Sequence, residues 1–312
     1  MGSIADGKAT ALLLLGASAG SLVTYQLMAA ASQRPKTPKE YKSAARARGK
    51  PELRLCVVNC QDDGPYGEGV MPCLCSLMEA ALPEEGWTLI EYRAKLFELP
   101  SNEELDACDG VIIPGSASSA YDDEPWIQAL LSFIRQLHSR QRRTLGICFG
   151  HQAIAQALGG SVIRNPHGLR ASCHSFPLSE LGRALLLEDG RALGVQEGMK
   201  LLYHHSDVVQ TLPQGAQCLG ASATCPVEAA AYSDGEGLSH MITMQGHPEF
   251  DIFKGRACLE KILQKDVREG KLTEDGAEGC RGTLLDPTHS VEALRSVVKH
   301  LWRSPGARKS AA

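Results

Sequence analysis

This sequence has no surplus of positive charge, no metal-ligand spacing and no phosphate-binding loop, and each absence removes a class of function. Its 32 Lys and Arg stand against 36 Asp and Glu, a net charge of -4, whereas nucleic-acid binding calls for a clustered basic face. Cys73-x-Cys75 has no second pair to complete a zinc site, and His-Glu-x-x-His does not occur; no metal and no cofactor are expected. Neither Gly-x-x-x-x-Gly-Lys-Ser/Thr nor a Ser-Gly-Gly-x-Asp-Ser pyrophosphatase loop is present. There is no internal repeat. A disulfide framework is also missing: the 11 cysteines are odd in number and lie mostly inside apolar runs, which favours reduced thiols in an intracellular compartment.

Charge is absent altogether from Ala9 to Gln33, and the basic residues Arg34, Lys36, Lys39, Lys42, Arg46, Arg48 and Lys50 then stand against one acid, Glu40. Residues 9–33 are long enough to span a bilayer, with the basic flank keeping the downstream domain on the cytosolic side. The Leu run before Ala29-Ala30-Ala31 also suits a signal peptide, and the Arg/Lys-rich, acid-poor flank an organelle targeting peptide. The expected organisation is a segment 1–50 that anchors or targets, a catalytic domain over 51–268 expected in the cytosol, and a C-terminal piece 269–312. That last piece reads as a loop, a helix over 290–303 and a frayed tail.

After Pro51, apolar strands alternate with helical spacing. "ELRLCVVNC", "WTLIEYR", "DGVIIPGS" and "RRTLGIC" read as strands. "GVMPCLCSLMEAAL", "DDEPWIQALLSFIRQLHSR" and "HQAIAQAL" read as helices, the second with Pro125 in its first turn. This order predicts an α/β fold with a mainly parallel sheet covered by helices on both faces. From Ser161 to Gln245 short strands and turns take over, a smaller antiparallel region of the same domain.

One cysteine differs from the rest in context. "GICFG" sets Cys148 between two glycines, at the junction of a strand and a helix. That is a nucleophile elbow with cysteine in place of serine. The helix N-terminus there favours a thiolate, and the Phe149 amide would point at the same place as half of an oxyanion hole. A base is available in "MITMQGHPEF", where His247 and Glu249 lie two apart in a segment that Pro248 biases toward extension. That supplies a base and a carboxylate to orient it. The second oxyanion donor is expected at Gly115, after the strand "GVIIP", where backbone can approach a ligand closely.

Together these stretches resemble the class I glutamine amidotransferase family, in which a Cys-His-Glu triad hydrolyses the side-chain amide of glutamine. The match runs from about Leu53 to Leu263 and implies a flavodoxin-like sheet. It assigns Cys148 as nucleophile, His247 as base and Glu249 as orienting acid. Gly115 and Phe149 become the oxyanion-hole amides, and Gln152, with Ser116, the substrate contacts. Pro114-Gly115-Ser116-Ala117 and Gln245-Gly246-His247-Pro248-Glu249 depart from the commonest family patterns. Both look like the stand-alone γ-glutamyl peptidase branch of plants and related fungal proteins, as does "HHSDVVQTLPQGA", whose His204, His205 and Asp207 are expected at the fold or pocket rim. The resemblance implies a small-molecule γ-glutamyl substrate such as glutathione, its conjugates or γ-glutamyl peptides. Two other readings stay open: a glutaminase subunit giving ammonia to a separate synthase partner, and a binding scaffold with membrane contact through residues 9–33.

Overall fold

The computed structural model describes residues 38–44, 52–61, 67–187, 198–233, 239–250, 253–284, 286 and 288–303. The apolar segment 9–33, most of the basic flank and the tail lie outside them. Strands are β1 (Lys39–Lys42), β2 (Leu53–Asn59), β3 (Trp87–Arg93), β4 (Gly110–Ile113), β5 (Thr144–Ile147), β6 (Ser161–Arg164), β7 (Arg170–Phe176), β8 (Met199–His205), β9 (Asp207–Thr211), β10 (Ala216–Ser222), β11 (Cys225–Tyr232) and β12 (Met241–Met244). Helices are α1 (Gly67–Ala81), α2 (Asn102–Asp106), α3 (Pro125–Ser139), α4 (Phe149–Ala157), α5 (Glu180–Leu186), α6 (Phe253–Arg268), α7 (Glu274–Thr283) and α8 (Ser290–Val297).

Eight strands form one sheet in the order β1-β3-β2-β4-β5-β12-β11-β10. The inner pairs β3/β2, β2/β4, β4/β5 and β5/β12 are parallel, and the outer pairs are antiparallel. Every residue of β4, β5 and β12 is buried, as strands covered on both faces must be. In β2, Leu53, Leu55 and Val57 join one core with α1 and α8, while Cys56 and Val58 join another with α3 and α4. Two antiparallel pairs, β6/β9 and β7/β8, complete the fold. This is the flavodoxin-like arrangement expected for the family, and it sets the C-terminal ends of β2, β4, β5 and β12 side by side.

Two stretches differ from expectation. The stretch that reads as a basic linker supplies the edge strand β1, whose Tyr41 hydroxyl donates to Glu91 (3.0 Å) on β3. The piece between 269 and 289, expected as loop, contains α7. Gly276, Gly279 and Gly282 mask it by their low helix propensity. Thr273 caps it by accepting from the Gly276 amide (3.0 Å), and Ala277 and Cys280 are buried; tertiary packing overrides propensity here. Among the described residues, no helix is long and apolar enough to cross a membrane.

The chain after α8 closes one face of the sheet. Trp302 is 2% exposed, and a Cβ at Gly110 would lie 2.2 Å from its Nε1. Trp302→Ala should therefore cost about 3–5 kcal/mol in urea denaturation. A loss below about 1 kcal/mol would mean that this turn is not part of the cooperative core.

Candidate active site

Cys148 sits between β5 and α4 with φ 50° and ψ -104°, a region that side chains other than glycine rarely occupy and that costs about 1–3 kcal/mol. The neighbours show what holds it there. A Cβ at Gly150 would lie 1.9 Å from the Ile113 carbonyl oxygen, and one at Gly146 would lie 2.9 Å from the Gly150 carbonyl carbon. Both glycines are needed for the helix to start this close to β4 and β5. The Cys148 amide donates to the Met244 carbonyl (2.9 Å), pinning the elbow to β12. Cys148 is buried, with its Sγ 3.8 Å from the His204 carbonyl.

β12 delivers the second stretch. The His247 amide donates to the Leu202 carbonyl (2.7 Å), and its ring stacks on Phe250 at 4.3 Å. His247 Nδ1 and Glu249 Oε1 are 2.8 Å apart, both side chains buried. Residues Pro248–Phe250 form a 3-10 turn rather than extended chain, yet Glu249 still reaches the ring. With Nδ1 engaged by the carboxylate, Nε2 is the nitrogen left for the thiol. Burial opposes the imidazolium, but the charges of Cys148 and Glu249 outweigh it and hold His247 well above the ordinary histidine range. The third stretch meets the first two: a Cβ at Gly115 would lie 3.1 Å from His247 Cε1 and 3.7 Å from Cys148 Cβ.

These residues border a cavity of about 170 Å³. Cys148, His247, Gly115, Ser116 and Gln152 line it, while Glu249 stands behind His247 and the Phe149 ring packs at 5.8 Å from Trp126. Phe149 can therefore contribute only backbone. The Gln152 side-chain Nε2 donates to the Asp207 carbonyl (2.9 Å) and Gln245 Oε1 (3.1 Å). The Ser116 hydroxyl donates to the Cys60 carbonyl (2.8 Å), so it braces its own loop.

The cavity wall also holds charge that sequence alone places at the rim. Asp207 is buried and accepts hydrogen bonds from Ser119 (2.5 Å) and Tyr121 (3.1 Å), with Arg164 at 3.7 Å. His205 uses Nδ1 on the Asp207 carbonyl (2.9 Å), and burial pushes its pKa down to about 3, so it is neutral. His204 pairs with Asp266 of α6 (2.5 Å). Phe250, Ile262, Lys265, Asp266 and Lys271, all from chain after β12, also line the cavity. The only signal for Asp207 is its place in the "HHSD" segment, and nothing in the sequence brings α6 and Lys271 to the site. Among the described residues, no group of three or more His, Cys, Asp or Glu is placed to hold a metal ion.

The fold and this elbow define an α/β protein of the amidotransferase type. The model of the family "Glutamine amidotransferase class-I" matches residues 86–262, and the chain belongs to that family. It is 30% identical to γ-glutamyl peptidase 5 of Arabidopsis thaliana, over 70% of this chain and 82% of that one. It is 31% identical to a glutamine amidotransferase-like protein of Schizosaccharomyces pombe, over 76% and 91%. Among solved structures, a glutamine amidotransferase of Thermotoga maritima superposes with a TM-score of 0.61 at 16% identity, covering 81% of this chain and 99% of that one. These relatives support a hydrolase of the class I amidotransferase type.

The raised His247 pKa rests on its two partners, which can be separated. NMR titration of ring nitrogens in a Cys148→Ala background should show His247 protonated to higher pH than in the same background with Glu249→Gln, by about one pH unit or more. Identical titration curves would contradict the role of Glu249.

Proposed function

We propose that this chain is a cysteine hydrolase that cleaves a γ-glutamyl amide through a thioester on Cys148. The observation that carries the reading is Cys148 on its strained elbow beside a buried His247–Glu249 pair. The thiolate donates its electron pair to the γ-carbonyl carbon, forming the C–S bond and moving the carbonyl pair onto oxygen. The amides of Gly115 and Phe149 receive that oxyanion. Collapse breaks the C–N bond, and the departing amine takes its proton from the His247 imidazolium. Water then adds to the thioester carbonyl carbon and gives a proton to His247; collapse breaks the C–S bond, glutamic acid leaves and the Cys148 thiolate beside the imidazolium is restored. The sum is amide plus water giving glutamate plus amine.

The charges around the cavity fit such a substrate. The Asp207 carboxylate suits an α-ammonium group, and Arg164, 3.7 Å from it, suits an α-carboxylate. Phe250, Ile262, Lys265 and Lys271 face what remains, the leaving amine. An apolar wall edged by Asp266 and by Lys265 and Lys271, each paired with Glu269, suits a leaving group larger than ammonia, and the peptidase names of the relatives point the same way.

Two experiments separate the possibilities. Purified protein, given glutathione and glutamine separately, should release amine from the γ-glutamyl peptide, with Cys148→Ala lowering kcat by a factor of about 10³ or more. Ammonia from glutamine alone would favour the glutaminase-subunit reading; no release from any γ-glutamyl compound would favour a scaffold. Asp207→Asn should raise KM for the peptide about tenfold or more, the effect of losing one charge-assisted hydrogen bond. An unchanged KM would remove Asp207 from substrate binding.

A further inference from the structure

The residues at the end of β2 carry no motif, yet they hold the loop that is to receive the oxyanion. Gln61 Nε2 donates to the Gly115 carbonyl oxygen at 3.1 Å, and the Ser116 hydroxyl donates to the Cys60 carbonyl at 2.8 Å. Consecutive residues of β2's end thus fix consecutive residues of β4's loop. Gln61 is itself held. Its backbone N–H donates to Asn59 Oδ1 (3.0 Å), and Asn59 Nδ2 donates to Glu91 Oε1 (2.8 Å). The other oxygen of Glu91 accepts from the Tyr41 hydroxyl (3.0 Å). Because a carboxylate can only accept, Asn59 must present its nitrogen to Glu91 and its oxygen to Gln61. The donor sense is fixed along the whole chain, from the edge strand β1 to the loop.

We infer that Gln61 is a positioning residue for the oxyanion hole: its side-chain amide holds the Gly115 carbonyl, so that the Gly115–Ser116 peptide keeps its oxygen turned away from the hole to which the Gly115 N–H contributes. The inference rests on the acyl-transfer reading of Cys148. Glycine is the residue whose flanking peptides turn over most freely, and Gly115 cannot carry a Cβ to restrain them without crowding His247 Cε1 at 3.1 Å. Freedom of that kind is harmful at an oxyanion hole. A carbonyl oxygen turned into the hole would meet the developing negative charge with its own, where a donor has to be preorganised. A side chain that reaches across from the neighbouring parallel strand supplies the missing restraint. Ser116 adds a second tether on the other side of the same peptide.

The test uses Gln61→Ala and the isosteric Gln61→Glu, which keeps the bulk but offers the Gly115 carbonyl no donor. Steady-state kcat and KM are measured on a γ-glutamyl peptide, together with the rate at which iodoacetamide alkylates Cys148. Alkylation forms a C–S bond by displacing iodide and builds no oxyanion, so it reports the thiolate and its imidazolium alone. Both variants should lose kcat at least about tenfold, a fraction of what deleting a whole oxyanion donor costs, with KM and the alkylation rate within about twofold of wild type. A kcat within about twofold of wild type in either variant would overturn the inference. So would parallel losses in kcat and alkylation, which would mean a general disturbance of the site. If wild type itself cleaves no γ-glutamyl compound, the acyl-transfer reading fails first and this inference falls with it.

Discussion

The strained backbone at Cys148 is the constraint that organises the site. A residue with positive φ is kept there only because the elements around it leave no relaxed alternative. β5 lies between β4 and β12 in the sheet, and α4 begins at once after it. Gly146 and Gly150 let the two pass at distances that any side chain would forbid. The central parallel sheet is thus both the folding core and the jig that aims one thiol. Its neighbours in the sheet deliver the remaining groups: the Gly115 loop from β4 and the His247–Glu249 turn from β12.

Burial then sets the chemistry. His247 and Glu249 are both almost wholly removed from water, where an isolated charge would be costly. Beside Cys148 and Glu249 the His247 pKa is nevertheless held well above the ordinary histidine range. His205, equally buried but offered only a backbone carbonyl, goes the other way and stays neutral. Two equally buried histidines in one cavity are thus shifted in opposite directions, one by charged partners that outweigh burial and one by burial. Asp207, Arg164 and the α6 wall extend the same logic outward, placing fixed charge of each sign around the reacting centre.

The sequence carries the centre of this arrangement better than its surroundings. The alternation of apolar strands with amphipathic helices determines the sheet, and the Gly-Ile-Cys-Phe-Gly and Gly-His-Pro-Glu stretches stand out because their chemistry is local: each needs neighbours one or two residues away. The features that escape notice act over long sequence distances. Gln61 meets Gly115 across 54 positions, and a lone glutamine after a strand carries no mark of such a bond. Asp207 looks like a rim residue because its partners Ser119 and Tyr121 come from a loop nearly ninety residues earlier. β1 is hidden by its lysines, which an edge strand tolerates and a linker shares. Helix α7 is hidden by its glycines.

The central claim is that a glutamyl group passes through the sulfur of Cys148. The most direct measurement is to mix the protein with a γ-glutamyl peptide, quench in acid within milliseconds, and determine intact and peptide masses. The account predicts a transient gain of one glutamyl group, confined to the peptide that contains Cys148 and absent from Cys148→Ala. Amine release with no such adduct, or with an adduct on another residue, would contradict it.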